Sequence, residues 1–251
     1  AILSDVPQLA ALYERADRDL TEMEEFVGEI ESRLCECLSE SRIPSAELVE
    51  AIAVCKIRGV GLATELCFKL QQEVGSFALL AGGGFEHLDM LLCCKFAEGD
   101  ERILMQKMAR DRLKQAPGGG LGRWFELGVE LMGDAPRRRE AMKALQLALA
   151  MRKNRSNMRT RTQKHNQEQL HDVVGLEACT GATEAACKQE AKAAMVAAWT
   201  DSWEEVYELA GAICDRHIAE VTHREQRKLD AEKDWVTLCA KHKQLAMHGR
   251  L

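Results

Sequence analysis

The sequence predicts an all-α protein, an antiparallel helical bundle followed by a long helical hairpin. Three observations predict this fold class. The chain has only four prolines in 251 residues. Ala, Glu, Lys, Leu and Arg, which are strong helix formers, fill long runs, while aromatic and β-branched clusters are few. Apolar residues recur at steps of three and four, which is the period of an amphipathic helix. We therefore expect no sheet, and the hydrophobic content of 46% is enough for a core.

The first two helices are predicted to form an antiparallel pair. The apolar stripe of the first helix consists of Leu9, Leu12, Ala16, Leu20, Met23, Val27, Ile30, Leu34 and Leu38. Acidic residues fill its other face. Pro44 interrupts the chain, Ser45 is a good N-cap and Glu47 suits the positive end of the helix dipole. A second apolar stripe then continues to about Leu80, which predicts the second helix.

Glycine clusters mark the next two boundaries. Gly82, Gly83 and Gly84 end the second helix, and a third helix is predicted from near residue 98 to about residue 115. The stretch APGGGLGRW at residues 116–124 interrupts the helical period. We therefore assign residues 1–116 to the bundle and residues 117–133 to a glycine-rich linker with a short helix.

Residues 134–251 are predicted to form a coiled-coil-like hairpin of long helices. A basic helix starts with Asp134 as its cap and Pro136 in its first turn. From residue 183 to about 245 the pattern predicts one very long helix or two nearly collinear ones. We expect such a long helix to pack along the basic helix, along another chain, or along both.

Charge is distributed unevenly along a chain of net charge −6. Residues 1–50 carry thirteen acidic and four basic side chains, whereas residues 135–164 carry ten basic and one acidic. Candidate partner-binding residues on the basic helix are Arg137, Arg152, Arg155 and Arg159. Their partner is predicted to be an acidic protein surface, and two solvated helix faces are the alternative. The basic stretch has no aromatic residue and no nucleic-acid module, which disfavours nucleic acid.

Trp199 and Trp203 lie four residues apart and are either an interface anchor or part of the core. The ten cysteines fall within helical patterns, without the paired spacing of a zinc site, and no histidine pair has helical metal-ligand spacing. We therefore predict no metal and free, reduced thiols.

No apolar run approaches the length of a membrane span, which leaves a soluble protein or one in peripheral contact with a membrane. With reduced thiols, this predicts an intracellular, reducing compartment, either the cytosol or an organelle interior, and we expect the latter: a plastid, mitochondrion or peroxisome. The last three residues, Gly249, Arg250 and Leu251, have the small-basic-leucine form of a peroxisomal address without being the standard tripeptide.

Two motifs flank the start of the third helix. The first is Ala81-Gly82-Gly83-Gly84-Phe85, and the second is Glu98-Gly99-Asp100, followed by Ile103, Leu104, Gln106, Ala109 and Arg110. Together they resemble the C-terminal helical domain of the acyl-CoA dehydrogenase and acyl-CoA oxidase family, in which a glycine segment closes one long helix and a Glu-Gly-Thr or Glu-Gly-Asp triplet opens the last. The resemblance covers about residues 5–115.

The resemblance implies definite chemistry. Glu98 would be the base that removes the α-proton of an acyl thioester, and Asp100 would neighbour the flavin. Gly82 and Gly83 would let backbone approach the adenosine end of FAD. A carboxylate in a dry site has a raised pKa that suits such a base. The other interpretation of Glu98 and Asp100 is structural, as acidic residues favoured by the dipole in a first helical turn.

The chain departs from the family pattern in three respects. Ala78 replaces the family glutamine, the loop before Glu98 is shorter and lacks the family's aromatic residue, and the flavin-holding domains have no counterpart in these 251 residues. The leading hypothesis is therefore a non-catalytic structural or accessory subunit of a larger assembly, with no cofactor expected. The alternative is the C-terminal segment of a flavin-dependent acyl-CoA oxidase or dehydrogenase, with FAD bound and Glu98 as base.

Overall fold

The computed structural model describes residues 6–80, 82–97, 99–115, 128–172 and 184–247. Within these ranges every regular element is a helix, so the all-α prediction is confirmed. The α-helices are α1 Pro7–Ser39, α2 Ala46–Val74, α3 Leu88–Cys94, α4 Glu101–Gln115, α5 Ala135–Asp172, α6 Glu184–Thr200 and α7 Trp203–Met247, and short 3-10 helices span Gly75–Leu79 and Phe85–His87.

The chain forms two compact units. The first unit comprises residues 1–104 and 214–251, and the second comprises residues 105–213. The sequence-based assignment of residues 1–116 and 134–251 to separate domains stays a prediction. Most of the predicted linker, residues 117–133, lies outside the described residues.

Local signals set the helix boundaries of the first unit. Ser45 Oγ accepts a hydrogen bond of 3.2 Å from the backbone N–H of Leu48, which makes it the N-cap of α2. α2 ends at Val74, six residues before the predicted end near Leu80, because Gly75 adopts a φ of +58° that an α-helix cannot continue through. A 3-10 helix follows it.

The core of the first unit lies between α1, α2 and the later part of α7, whose Arg216 and Arg224 hydrogen-bond to Glu50 of α2 and Glu29 of α1. α1 packs on α2, and α3 packs on α2 as well. Its buried apolar side chains are Leu9, Ala16, Phe26, Ile30, Cys37, Leu48, Ala51, Val54, Ile57, Leu66, Ala78, Cys214 and Val221. The predicted α1 stripe is partly wrong, since Leu20, Val27 and Leu38 are exposed while Phe26, which was not predicted, is fully buried.

In the second unit α5 packs along α6. Packing along the basic helix is one of the arrangements predicted for the hairpin. The predicted long helix is two helices, because α6 ends at Thr200 and α7 begins at Trp203. Ser202, between them, is fully buried, and its hydroxyl donates to Ala198 O at 2.8 Å and accepts from Asn154 Nδ2 at 3.0 Å. The polar pairing with α5 stabilises the break.

Candidate functional site

The glycine segment after α2 is a tight, exposed turn. Gly82 and Gly84 have φ values of +82° and +84°, in the left-handed region that favours glycine. The backbone N–H of Gly82 donates to Glu86 Oε1 at 3.1 Å. Hydrogen bonds from backbone N–H groups, that of Glu86 first and then those of Gly82 and Gly84, hold the pKa of Glu86 below its ordinary value. The Gly82 N–H group is therefore bonded within the turn.

Gly83 is not required by sterics in this turn. A Cβ added there would lie 3.4 Å from Leu80 O and 3.5 Å from the ring of Phe85. These distances are at or close to ordinary van der Waals contact. The role of Gly82 and Gly83 in binding the adenosine end of FAD stays a prediction.

Asp100 is the N-cap of α4. Its Oδ1 accepts hydrogen bonds from the backbone N–H groups of Arg102 at 2.8 Å and Ile103 at 3.2 Å. The helix begins at Glu101, close to its predicted start. Glu98, the candidate base, lies outside the described residues. The structural interpretation of Asp100, a residue that satisfies the first N–H groups of a helix, matches its observed contacts.

Lys56 of α2 fixes the backbone on both sides of residue 98. Its ammonium group donates to the carbonyl oxygens of Ala97 and Gly99. Gly99 has a φ of +110°, another conformation that requires glycine. Sequence reasoning missed Lys56, because nothing in the local pattern of a helix reveals a partner that is more than forty residues away.

An exposed apolar surface lies in the connection between α2 and α4. Its side chains, which we call the 77–96 surface, are each more than half exposed: Phe77, Leu79, Leu80, Met90 and Phe96. Large apolar residues exposed singly are ordinary, but five within twenty residues mark a candidate interaction site. The sequence signal for it is the uncharged stretch of residues 76–85.

The candidate partner-binding arginines lie on α5. Arg137, Arg152 and Arg155 are exposed. The α5 cap is as predicted, since Asp134 Oδ1 accepts from the backbone N–H of Arg137 at 3.1 Å. Arg159 is a residue of α5 whose side chain lies outside the described part of the structure. Their binding of an acidic partner stays a prediction.

The two tryptophans have different environments and lie on different helices. Trp199, the penultimate residue of α6, is half-buried, and the guanidinium carbon of Arg110 lies 5.5 Å from its ring centroid. Trp203 opens α7 and is more than half exposed, in edge-to-face contact with Tyr207 at 6.3 Å. A cavity of about 430 Å³ adjoins Trp203 and is lined by Asn154, Asn157, Met158, Thr200, Asp201 and Trp203. Trp203 is therefore the better anchor candidate.

Buried ionic contacts connect helices within each unit. In the second unit Arg112 of α4 donates to both Glu140 and Glu130. Burial lowers the pKa of Arg112, but hydrogen bonds and attraction from these carboxylates outweigh it and raise the pKa above its ordinary value. In the first unit His217 Nε2 lies 2.7 Å from Glu50 Oε1. These groups stabilise helix packing.

In the described ranges, no group of three or more His, Cys, Asp or Glu side chains is arranged to hold a metal ion. Among the helices of the described ranges, none combines the length and the hydropathy that a membrane span requires. A scan of protein-family models, a search of curated proteins and a search of solved structures each found no match to this chain.

Proposed function

We propose that this protein is a non-catalytic structural or accessory subunit of a larger assembly. Its first unit would use a helical scaffold similar to the C-terminal domain of acyl-CoA dehydrogenases and oxidases. The 77–96 surface is the observation that carries the proposal, because five exposed large apolar side chains in one short segment are typical of a protein-binding site. Covering them with a partner would remove apolar area from water.

The contacts of the motif residues support a structural role. Asp100 caps α4, the N–H of Gly82 bonds to Glu86, and Lys56 holds the carbonyl groups on both sides of residue 98. The first and third of these contacts fix the turn before α4, and the second fixes the glycine turn after α2, all from within the chain. We infer that the turn is a rigid platform that presents the 77–96 surface.

The second unit supplies a second docking element. Arg152 and Arg155 on α5 and Trp203 on α7 are exposed, and an aromatic residue with nearby arginines is the composition of interface hot spots. The expected partner surface is an acidic protein surface. The free cysteines of the described residues fit a reducing compartment, which we propose to be an organelle interior.

The experiment isolates the tagged chain from its native source and measures the mass of the particle and its flavin absorption. We expect a particle heavier than the 28.0 kDa chain and no stoichiometric flavin. The double substitution Phe77→Ser and Phe96→Ser is expected to release the chain from the particle, because it removes apolar contacts. The matched control replaces Phe68, exposed on α2 outside this surface, with Ser.

The competing hypothesis, a segment of a flavin-dependent acyl-CoA oxidase, predicts a different result. Stoichiometric flavin in the particle, together with loss of acyl-CoA oxidation in Glu98→Gln, would refute the structural role. A particle that keeps its mass in the Phe77→Ser, Phe96→Ser variant would refute the 77–96 surface as the docking site.

A further inference from the structure

α1 exposes an apolar stripe with a seven-residue period. Tyr13, Leu20 and Val27 follow one another at this spacing, and they are between 36% and 55% exposed. They lie beside the face that α1 buries in the first unit. A left-handed coiled coil repeats two apolar positions in every seven residues, and this exposed stripe supplies one of them.

Carboxylates flank this stripe at the same period. Asp17, Glu24 and Glu31 each follow an apolar member of the stripe by four residues, and all three are exposed. None of the three forms an ion pair with another described residue. The exposed face of α1 is therefore an apolar seam with an acidic edge, which we call the α1 seam.

α5 exposes a stripe of the same period and the opposite charge. Ala135, Met142 and Leu149 lie seven residues apart and are exposed, the last two by 48% each. Exposed basic side chains lie beside this stripe. Arg138 and Arg139 follow Ala135 by three and four residues, and Arg152 and Lys153 follow Leu149 at the same spacing. We call this face the α5 seam.

We propose that the α1 seam of one copy of this chain packs against the α5 seam of a second copy, as a left-handed helix pair. This deepens the proposed function, on which it rests, by naming one occupant of the α5 docking surface. Both seams span three apolar positions over fifteen residues, roughly 21 Å of helix at 1.5 Å per residue. Their lengths and periods match.

Charge selects this pairing over the symmetric ones. An α1 seam against another α1 seam would place carboxylates beside carboxylates, and two α5 seams would place cations beside cations. Charges that flank a helix seam set partner choice in this way. The pairing of α1 with α5 places Asp17, Glu24 and Glu31 near basic side chains instead, and salt should weaken it.

The experiment measures the mass of the purified full chain by sedimentation equilibrium over a concentration series at low and high salt. Two variants each reverse the charges that flank one seam. The first carries Asp17→Lys, Glu24→Lys and Glu31→Lys, and the second carries Arg138→Glu, Arg152→Glu and Lys153→Glu. Each alone is expected to weaken self-association about tenfold or more, since attractive flanks become repulsive. A third variant, with both seams reversed in one chain, should associate again.

The matched control reverses three exposed carboxylates of α1 that lie off the seam, Glu14, Glu25 and Glu36. It makes the same change in net charge on the same helix. We expect it to associate like the unchanged chain. Helical circular dichroism confirms that each variant is folded, and Asp17→Asn, Glu24→Gln and Glu31→Gln replace the lysine set if that set unfolds.

Three results would overturn the inference: a monomer under every condition, equal weakening by the off-seam control, or no recovery when both seams are reversed. None of them bears on the flavin content, or on release of the chain from its native particle by Phe77→Ser and Phe96→Ser, which test the proposed function. The two proposals therefore fail separately.

Discussion

Replacing Arg112 with Leu should destabilise the second unit strongly, because it removes a cation that pairs with the buried Glu140. The side chains of Arg112 and Glu140 are only 13% and 5% exposed, whereas that of Glu130 is 38% exposed. Removing one member of a buried ion pair costs about 3–5 kcal/mol, and an exposed pair is worth at most about 1 kcal/mol. Glu140 has a further interaction, so we take the lower end, about 3 kcal/mol.

The assay is urea unfolding followed by tryptophan fluorescence. With a slope of about 2 kcal/mol per M, a loss of about 3 kcal/mol lowers the midpoint by roughly 1.5 M. The double substitution Arg112→Leu, Glu140→Leu should recover most of the loss, since neither charge is then buried alone. The control is Arg15→Leu, which also loses two carboxylate partners, Asp19 and Glu65, but at the surface. We expect little change there.

Two results would refute this reasoning. One is an Arg112→Leu variant as stable as the unchanged chain. The other is a double variant as unstable as the single one, because the cost would then come from lost packing and not from an isolated charge. A double-mutant cycle separates the two contributions.

Two further predictions concern the first unit. Burial raises the pKa of Cys214 to about 11 from the ordinary 9.0, so its thiolate fraction at about pH 8 is roughly a hundredfold smaller than that of an ordinary thiol. Alkylation with iodoacetamide, followed by mass spectrometry, should modify the exposed Cys93 first, and equal rates would contradict the burial argument. Asp100→Ala should cost about 1 kcal/mol while Asp100→Asn costs far less, because asparagine also caps helices. Urea midpoints that show equal losses would exclude the capping role.

The raised pKa of Cys214 also gives the sign of a pH effect. Below pH 9.0 the thiol is protonated in both the folded and the unfolded chain, so its contribution to stability is fully present. As the pH rises from 9.0 to about 11, the thiol ionises in the unfolded chain before it ionises in the folded chain. The free energy of unfolding therefore falls over this pH range.

Sequence patterns predicted the helices and most of their starts, because those depend on residues within one turn. Ser45 and Asp134 each cap the helix they were predicted to cap, and α4 begins close to its predicted start. The approximate position of the glycine turn was predictable for the same reason. Gly84 has a positive φ, which residues other than glycine avoid. This preference is local, because it does not depend on contacts with distant parts of the chain.

Which side of a helix is buried depended on its neighbours. Successive residues of a helix are rotated by about 100° around its axis. Apolar residues spaced three and four apart are therefore compatible with burial of either of two adjacent helix faces. On α1, Phe26 is fully buried and Leu38 is exposed, although only Leu38 belongs to the predicted stripe. The break between α6 and α7 likewise depends on Asn154, a partner of Ser202 that lies 48 residues away.

By itself the sequence determined that the protein is helical, where most helices begin, and how its acidic and basic charges are distributed, because these follow from local composition and spacing. Only the tertiary structure decided that Lys56 holds the backbone around residue 98, that Arg112 is buried between carboxylates, and that residues 77–96 expose apolar side chains. Such contacts join residues far apart in the chain. Their free energy depends on burial, which only the packed helices establish.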